Sequence, residues 1–63
     1  MIRIALDAMG GDYAPAEIVK GAVLASLEYP VSIILAGDKQ KIEKELARYK
    51  KRGHISVVPA TEV

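Results

Sequence analysis

The stretch VSIILAGD, residues 31–38, decides the fold class of this chain. Its first six residues are almost continuously apolar, which is typical of a strand buried on both faces of a parallel sheet. Gly37 and Asp38 then form a strand-to-helix turn, in which Asp38 is a favourable helix N-cap. Pro30, immediately before the stretch, ends the preceding element. The pattern therefore predicts a parallel strand that leads directly into a helix.

The segment before this strand has a helical pattern. Pro15 is a first-turn helix signal, and the spacing of apolar residues predicts a helix over residues 15–29. Its predicted core face comprises Ile18, Val19, Ala22, Val23, Ser26 and Leu27. Leu24 falls outside that face. It is either a scattered exposed leucine, which is common, or part of a second contact surface.

A second helix is predicted after the strand, over residues 39–51, with Gly53 as its stop signal. Its narrow apolar stripe comprises Ile42, Leu46 and Tyr49. The Lys-Lys-Arg run at residues 50–52 is interpreted as a solvated helix end, since cations are favourable near a helix C-terminus. The alternative for this run is a patch that contacts phosphate.

Two further apolar runs, residues 2–6 and 55–58, predict strands at either end of the chain, and Pro59 closes the second. Strands and helices that alternate at this spacing predict an α/β fold. We expect a βαβαβ portion of a parallel, Rossmann-like three-layer α/β/α sandwich. Because two helices cannot cover both faces of three apolar strands, residues 1–63 are expected to be the N-terminal part of a single larger α/β domain.

Composition narrows the classes of function. The 63 residues include no Cys and a single His54, which argues against a disulfide framework, a thiolate metal site or a His cluster. Nine basic and eight acidic residues give a net charge of +1, so no nucleic-acid partner is expected. The apolar runs are too short for a signal sequence or a membrane span. We expect a cytoplasmic protein whose membrane contact, if any, is peripheral and outside this segment.

The turn DAMGGD, residues 7–12, is the candidate site. It follows a strand and precedes a helix, and ligands of open α/β sheets gather at the carboxyl ends of strands. Gly10 and Gly11 let backbone N–H groups approach a phosphate or an oxyanion closely. The spacing matches neither dinucleotide-binding nor P-loop fingerprints. Tight packing of the turn explains two adjacent glycines equally well.

Two carboxylates flank these glycines. Asp7 and Asp12 would repel phosphate unless they are paired or bound to a cation. Asp7 can hold the loop by accepting backbone hydrogen bonds, and Asp12 can cap the following helix or orient a donor near the ligand. A general-base role for either carboxylate is the alternative.

The turn and its surroundings, LDAMGGDYAP at residues 6–15, resemble the N-terminal signature of the bacterial phosphate acyltransferases of phospholipid synthesis, the PlsX family. The resemblance continues through residues 33–38 and 59–63, and so covers the whole chain. It implies a Rossmann-like fold related to isopropylmalate dehydrogenases and phosphotransacetylases. It also implies transfer of a fatty acyl group from acyl carrier protein to inorganic phosphate, giving acyl phosphate, by a homodimer.

The resemblance places five residues of this chain in the active cleft. It implies catalytic roles for Asp7 and Asp12, and phosphate or substrate binding by Met9, Gly10 and Gly11. It implies no cofactor and no metal. Family chains are several times longer, so the 63-residue piece alone is expected to be inactive. Two alternatives are a phosphotransacetylase-like or nucleotide-binding α/β domain, and a non-catalytic fragment that folds by association.

Overall fold

The computed structural model describes residues 2–60. Three strands and two helices alternate along the chain: β1 Ile2–Asp7, α1 Ala16–Glu28, β2 Val31–Gly37, α2 Lys39–Leu46 and β3 His54–Pro59. All five predicted elements are present, in the predicted order. The resemblance at residues 61–63 lies outside the described residues.

The three strands form one parallel sheet in the order β1-β2-β3. Leu6 is paired with Leu35, and Leu35 with Val57. The carboxyl ends of the three strands therefore lie side by side at one end of the sheet, which we call the carboxyl edge. This arrangement confirms the predicted βαβαβ, Rossmann-like α/β fold. It also places the turn after β1 beside the ends of β2 and β3.

Both helices pack on the same face of the sheet. In β2, residues alternate strictly between buried and half-buried positions, as expected when one face is covered. The two helices contact each other and β2, and they share one core with its covered face. That core comprises Ala8, Val19, Ala22, Val23, Val31, Ile33, Leu35, Ile42 and Leu46. Residues 2–60 thus supply two layers of the predicted three-layer sandwich.

β1 is apolar along most of its length, yet within residues 2–60 it is largely exposed. Ile2 is 66% exposed and Ile4 is 37% exposed. Both helices lie against β2 and β3, which leaves β1 at the open edge of the sheet without a helix above it.

α1 buries a narrower face than its pattern predicts. Val19, Ala22, Val23 and Ser26 are buried, whereas Leu27 is 54% exposed. Leu27 lies about 100° around the helix from the centre of the buried arc, at its rim. The prediction that Leu27 belongs to the core is therefore wrong. Leu24 is also exposed, so the alternatives for it stay open.

α2 ends earlier than predicted, at Leu46, with Ala47 as its C-cap. Ile42 and Leu46 are buried, and Tyr49 packs against the core from beyond the helix. Residues 50–52 are exposed and lie in the connection to β3, so the prediction that they form a helix end is wrong.

Gly53 does not stop α2, because six residues, 47–52, separate it from Leu46, the last residue of the helix. Its N–H donates to Ser26 Oγ at 3.0 Å. A Cβ at Gly53 would overlap the Ser26 carbonyl oxygen and lie 2.7 Å from the carbonyl carbon. A glycine is needed here because the α2–β3 connection passes directly over the α1 backbone.

Candidate functional site

The turn after β1 begins as a continuation of the sheet. Ala8 donates its N–H to the Ala36 carbonyl oxygen at 2.9 Å, and the Ala8 side chain is fully buried. The first residue of the turn is thereby fixed to β2. The four residues that follow, Met9 to Asp12, all lie on the surface at the carboxyl edge of the sheet.

Asp7 shapes the turn, as one of its two predicted roles requires. Its Oδ1 accepts the N–H of Met9 at 2.9 Å, which is the hydrogen bond of an Asx-turn. Its Oδ2 lies 3.7 Å from the point where a Cβ of Gly10 would stand. The carboxylate therefore lies alongside the backbone that leads into the two glycines. A general-base role for Asp7 stays a prediction.

Gly10 and Gly11 are glycines for different structural reasons. Gly11 has φ +97°, in the region that side chains with a Cβ rarely adopt. Gly10 has no positive φ, and a Cβ there would meet only Asp7 atoms at ordinary contact distance. The conformation of the turn thus requires glycine at Gly11, whereas Gly10 leaves the backbone open to approach.

The N–H groups of Gly10, Gly11 and Asp12 point to a binding role for this turn. Within residues 2–60 they donate to no other group of the chain. All three residues are exposed. Successive unpaired N–H donors before a helix are the groups that bind phosphate or an oxyanion in α/β proteins.

Asp12 does not cap α1, so that interpretation is wrong. The N-cap of α1 is Pro15, and no side chain makes a cap hydrogen bond there. Three turn residues, Tyr13 to Pro15, separate Asp12 from the first helical residue, so its carboxylate cannot serve the N–H groups of the first helical turn. Asp12 is exposed and directly follows Gly11 in the chain, and its catalytic role stays a prediction.

The end of β2 contributes two residues that adjoin the turn. Asp38 accepts the N–H of Lys41 at 3.2 Å, which confirms it as the N-cap of α2. Gly37 is buried, and Met9 lies against it. Sequence reasoning identified Gly37 only as a turn residue. Its contact with Met9 depends on the β1–β2 register, which the residue pattern does not reveal.

Two ion pairs occur within residues 2–60. Lys39 Nζ is 3.9 Å from Glu43 Oε1, and Arg48 Nη1 is 3.2 Å from Glu45 Oε1. Both pairs are on or just after α2.

In the part of the chain described by the structure, neither helix has the length and apolar character that crossing a membrane requires.

Comparison with known proteins identifies the family. A profile described as "Fatty acid synthesis protein" matches residues 2–63. This chain belongs to that family. Among its curated relatives, a protein of Desulforamulus reducens is 57% identical over 63 residues, which is all of this chain and 19% of the relative. A protein of Pelotomaculum thermopropionicum is 53% identical over 62 residues, covering 98% of this chain and 18% of the relative.

A third relative, from Gloeothece citriformis, is 49% identical over 61 residues, covering 97% of this chain and 17% of its own length. All three relatives bear the name "Phosphate acyltransferase". This member of the fatty acid synthesis protein family therefore spans less than a fifth of the length of the relatives it matches. The likeness to phosphate acyltransferases predicted from the turn is confirmed.

Proposed function

We propose that the complete protein containing this chain transfers a fatty acyl group from acyl carrier protein to inorganic phosphate. The product is an acyl phosphate for phospholipid synthesis. The observation that carries the proposal is the family match over residues 2–63, with relatives at 49–57% identity that are named phosphate acyltransferase. Since the chain corresponds to 17–19% of those relatives, the activity is assigned to the complete protein.

The turn at residues 7–12 supplies anion-binding groups for this reaction. Phosphate oxygen attacks the thioester carbonyl carbon, a C–O bond forms, and negative charge collects on the carbonyl oxygen. The C–S bond then breaks, and the carrier sulfur leaves and takes up a proton. Unpaired N–H donors from Gly10, Gly11 and Asp12 can hold the phosphate or stabilise the oxyanion. Because phosphate is the nucleophile, positioning of the two reactants supplies much of the rate.

The two carboxylates have separate roles in this scheme. Asp7 holds the turn through Met9, so its contribution is to the geometry of the donors. Asp12 has no capping bond and lies beside those donors, which leaves its carboxylate available to orient the phosphate or accept its proton. No cofactor is part of the proposal.

The proposal also covers the protein's partners and its cellular location. Acylated carrier protein and inorganic phosphate are the substrates. We further infer a cytoplasmic homodimer, whose carrier-protein surface lies outside residues 2–60. The isolated 63-residue chain is expected to be inactive, because the sheet edge contributes donors but residues 2–60 form no enclosed pocket around them.

The test is formation of acyl phosphate by the complete protein from acylated carrier protein and phosphate. Gly10→Val should reduce the rate at least about ten-fold, because a branched side chain then stands over the donors. Gly21→Ala, an exposed glycine in α1 with open space around it, is the matched control and should retain the wild-type rate. Absence of product from the wild-type protein would reject the proposed function, and tight nucleotide binding in a calorimetric titration would favour the nucleotide-binding alternative.

A further inference from the structure

The side chain of Met9 occupies the space above Gly37. A Cβ placed on Gly37 would overlap Met9 Cγ and would lie 3.0 Å from Met9 Sδ. The same Cβ would lie 3.3 Å from Cδ1 of Ile42, a fully buried core residue. The Met9 side chain therefore occupies the volume that a side chain at position 37 would need. This volume lies at the margin of the core.

Hydrogen bonds fix the backbone around Gly37, on which the Met9 side chain packs. It is buried, and its carbonyl oxygen accepts the N–H of Ala60 at 3.0 Å. The residue before it, Ala36, accepts the N–H of Ala8 at 2.9 Å. The end of β2 is thus bonded to the segments that follow β1 and β3, and it cannot shift independently of either.

Two interactions hold Met9 in place. Its N–H is bonded to Asp7, and its side chain lies on Gly37. The next two residues are Gly10 and Gly11, which have no Cβ to pack and no hydrogen bond from their N–H groups within residues 2–60. Met9 is accordingly the last side chain that anchors the turn before its free donors begin.

We propose that Met9 is a positioning residue, which fixes the Gly10 and Gly11 amides over the end of β2 by packing on Gly37 and does not itself bind phosphate. The inference rests on the proposed function and assigns Met9 a role other than the substrate contact expected from the resemblance. Preorganised donors lose effectiveness when their supports loosen, even when every donor is still present.

The shape of the side chain matters in this role, and its sulfur does not. An unbranched thioether fills an irregular gap such as the one between Gly37 and Ile42. Leucine has nearly the same volume and can fill it after a small adjustment, whereas alanine leaves it empty. Met9→Leu and Met9→Ala therefore separate packing from contact with the ligand.

The experiment compares these variants in the complete protein by steady-state kinetics with phosphate and acylated carrier protein. Met9→Ala should raise the KM for phosphate about ten-fold, with the KM for the acyl donor unchanged. Met9→Leu should return the KM for phosphate to within about two-fold of wild type. A Met9→Leu variant as impaired as Met9→Ala, or an effect confined to the acyl donor, would overturn the inference.

A second measurement does not depend on acyl transfer. Hydrogen–deuterium exchange at the bonded amides of Ala8 and Met9 should become at least about five-fold faster in Met9→Ala and stay near wild type in Met9→Leu. Unchanged exchange in Met9→Ala would refute positioning by Met9. Absence of acyl phosphate from the wild-type protein would refute only the proposed function.

Discussion

Gly53 donates its backbone N–H to the hydroxyl oxygen of Ser26, 3.0 Å away. The same hydroxyl donates to the Val23 carbonyl oxygen at 2.8 Å. This two-step chain of hydrogen bonds ties the start of β3 to the last turns of α1. It joins residues 27 positions apart in the sequence, so it fixes the position of α1 over the sheet.

Replacement of Gly53 by alanine should destabilise the protein. The new Cβ would overlap the Ser26 carbonyl oxygen, which is a backbone atom and cannot rotate away. Overpacking of this kind costs about 1–3 kcal/mol of the free energy of unfolding. Denaturant unfolding of the complete protein measures it. Gly21→Ala is the matched control: Gly21 lies in α1, no atom of residues 2–60 comes within 4 Å of its Cβ position, and alanine there should stabilise by about 0.5–1 kcal/mol. Equal stability of the two variants would contradict the close approach at Gly53.

Alanine substitutions should distinguish Gly11 from Gly10. Gly11→Ala forces a Cβ into φ +97° and should cost about 1–3 kcal/mol of unfolding free energy, together with a loss of acyl-transfer rate. Gly10→Ala has no such strain and should leave the unfolding free energy within about 0.5 kcal/mol of wild type. Thermal unfolding of the two variants side by side checks the difference. If Gly11→Ala were as stable as Gly10→Ala, the positive φ at Gly11 would be refuted.

Asp7 should be replaceable by asparagine but not by alanine. Asn retains a side-chain oxygen that can accept the Met9 N–H, whereas Ala removes this hydrogen bond, which is worth about 0.5–1.5 kcal/mol. We expect Asp7→Asn to retain the acyl-transfer rate within about three-fold, and Asp7→Ala to lose about ten-fold because the turn loosens. The comparison is made by initial rates at saturating phosphate. A loss as large in Asp7→Asn as in Asp7→Ala would show that the negative charge itself is required.

For Asp12→Asn we expect a loss of activity without a loss of stability. Because it makes no capping bond at α1, Asp12→Asn should leave the melting temperature unchanged. The variant should nevertheless lower kcat by about 100-fold if the carboxylate accepts a proton in the reaction, the ordinary contribution of a general base. Calorimetry and single-turnover rates measure the two effects. A variant with the wild-type rate would remove Asp12 from the catalytic groups.

The order of elements could be predicted from sequence because it depends on local signals. The apolar runs, Pro15 and the Gly37-Asp38 turn mark strand and helix boundaries within a few residues. The N-cap bond of Asp38 to Lys41 follows from the same local chemistry. The shape-holding role of Asp7 was likewise foreseen, since an Asx-turn involves only residues two positions apart.

The remaining features depend on contacts between distant segments, which residue patterns do not encode. Gly53 follows a basic run and therefore looks like a helix stop, yet its role is set by the α1 backbone beneath it. Leu27 has helical spacing with the core, but the placement of α1 over β2 and β3 leaves it at the rim. Asp12 has the residue type of a cap, but three intervening residues place it out of reach.

The bonds from Ala8 to Ala36 and from Ala60 to Gly37 set a fixed spacing for any ligand at the carboxyl edge. Neighbouring strands lie about 4.8 Å apart, so the segments after β1 and β3 begin about 10 Å from each other. At that spacing, a phosphate held by the turn after β1 would extend as far as the end of β2, whereas the end of β3 would lie out of its reach.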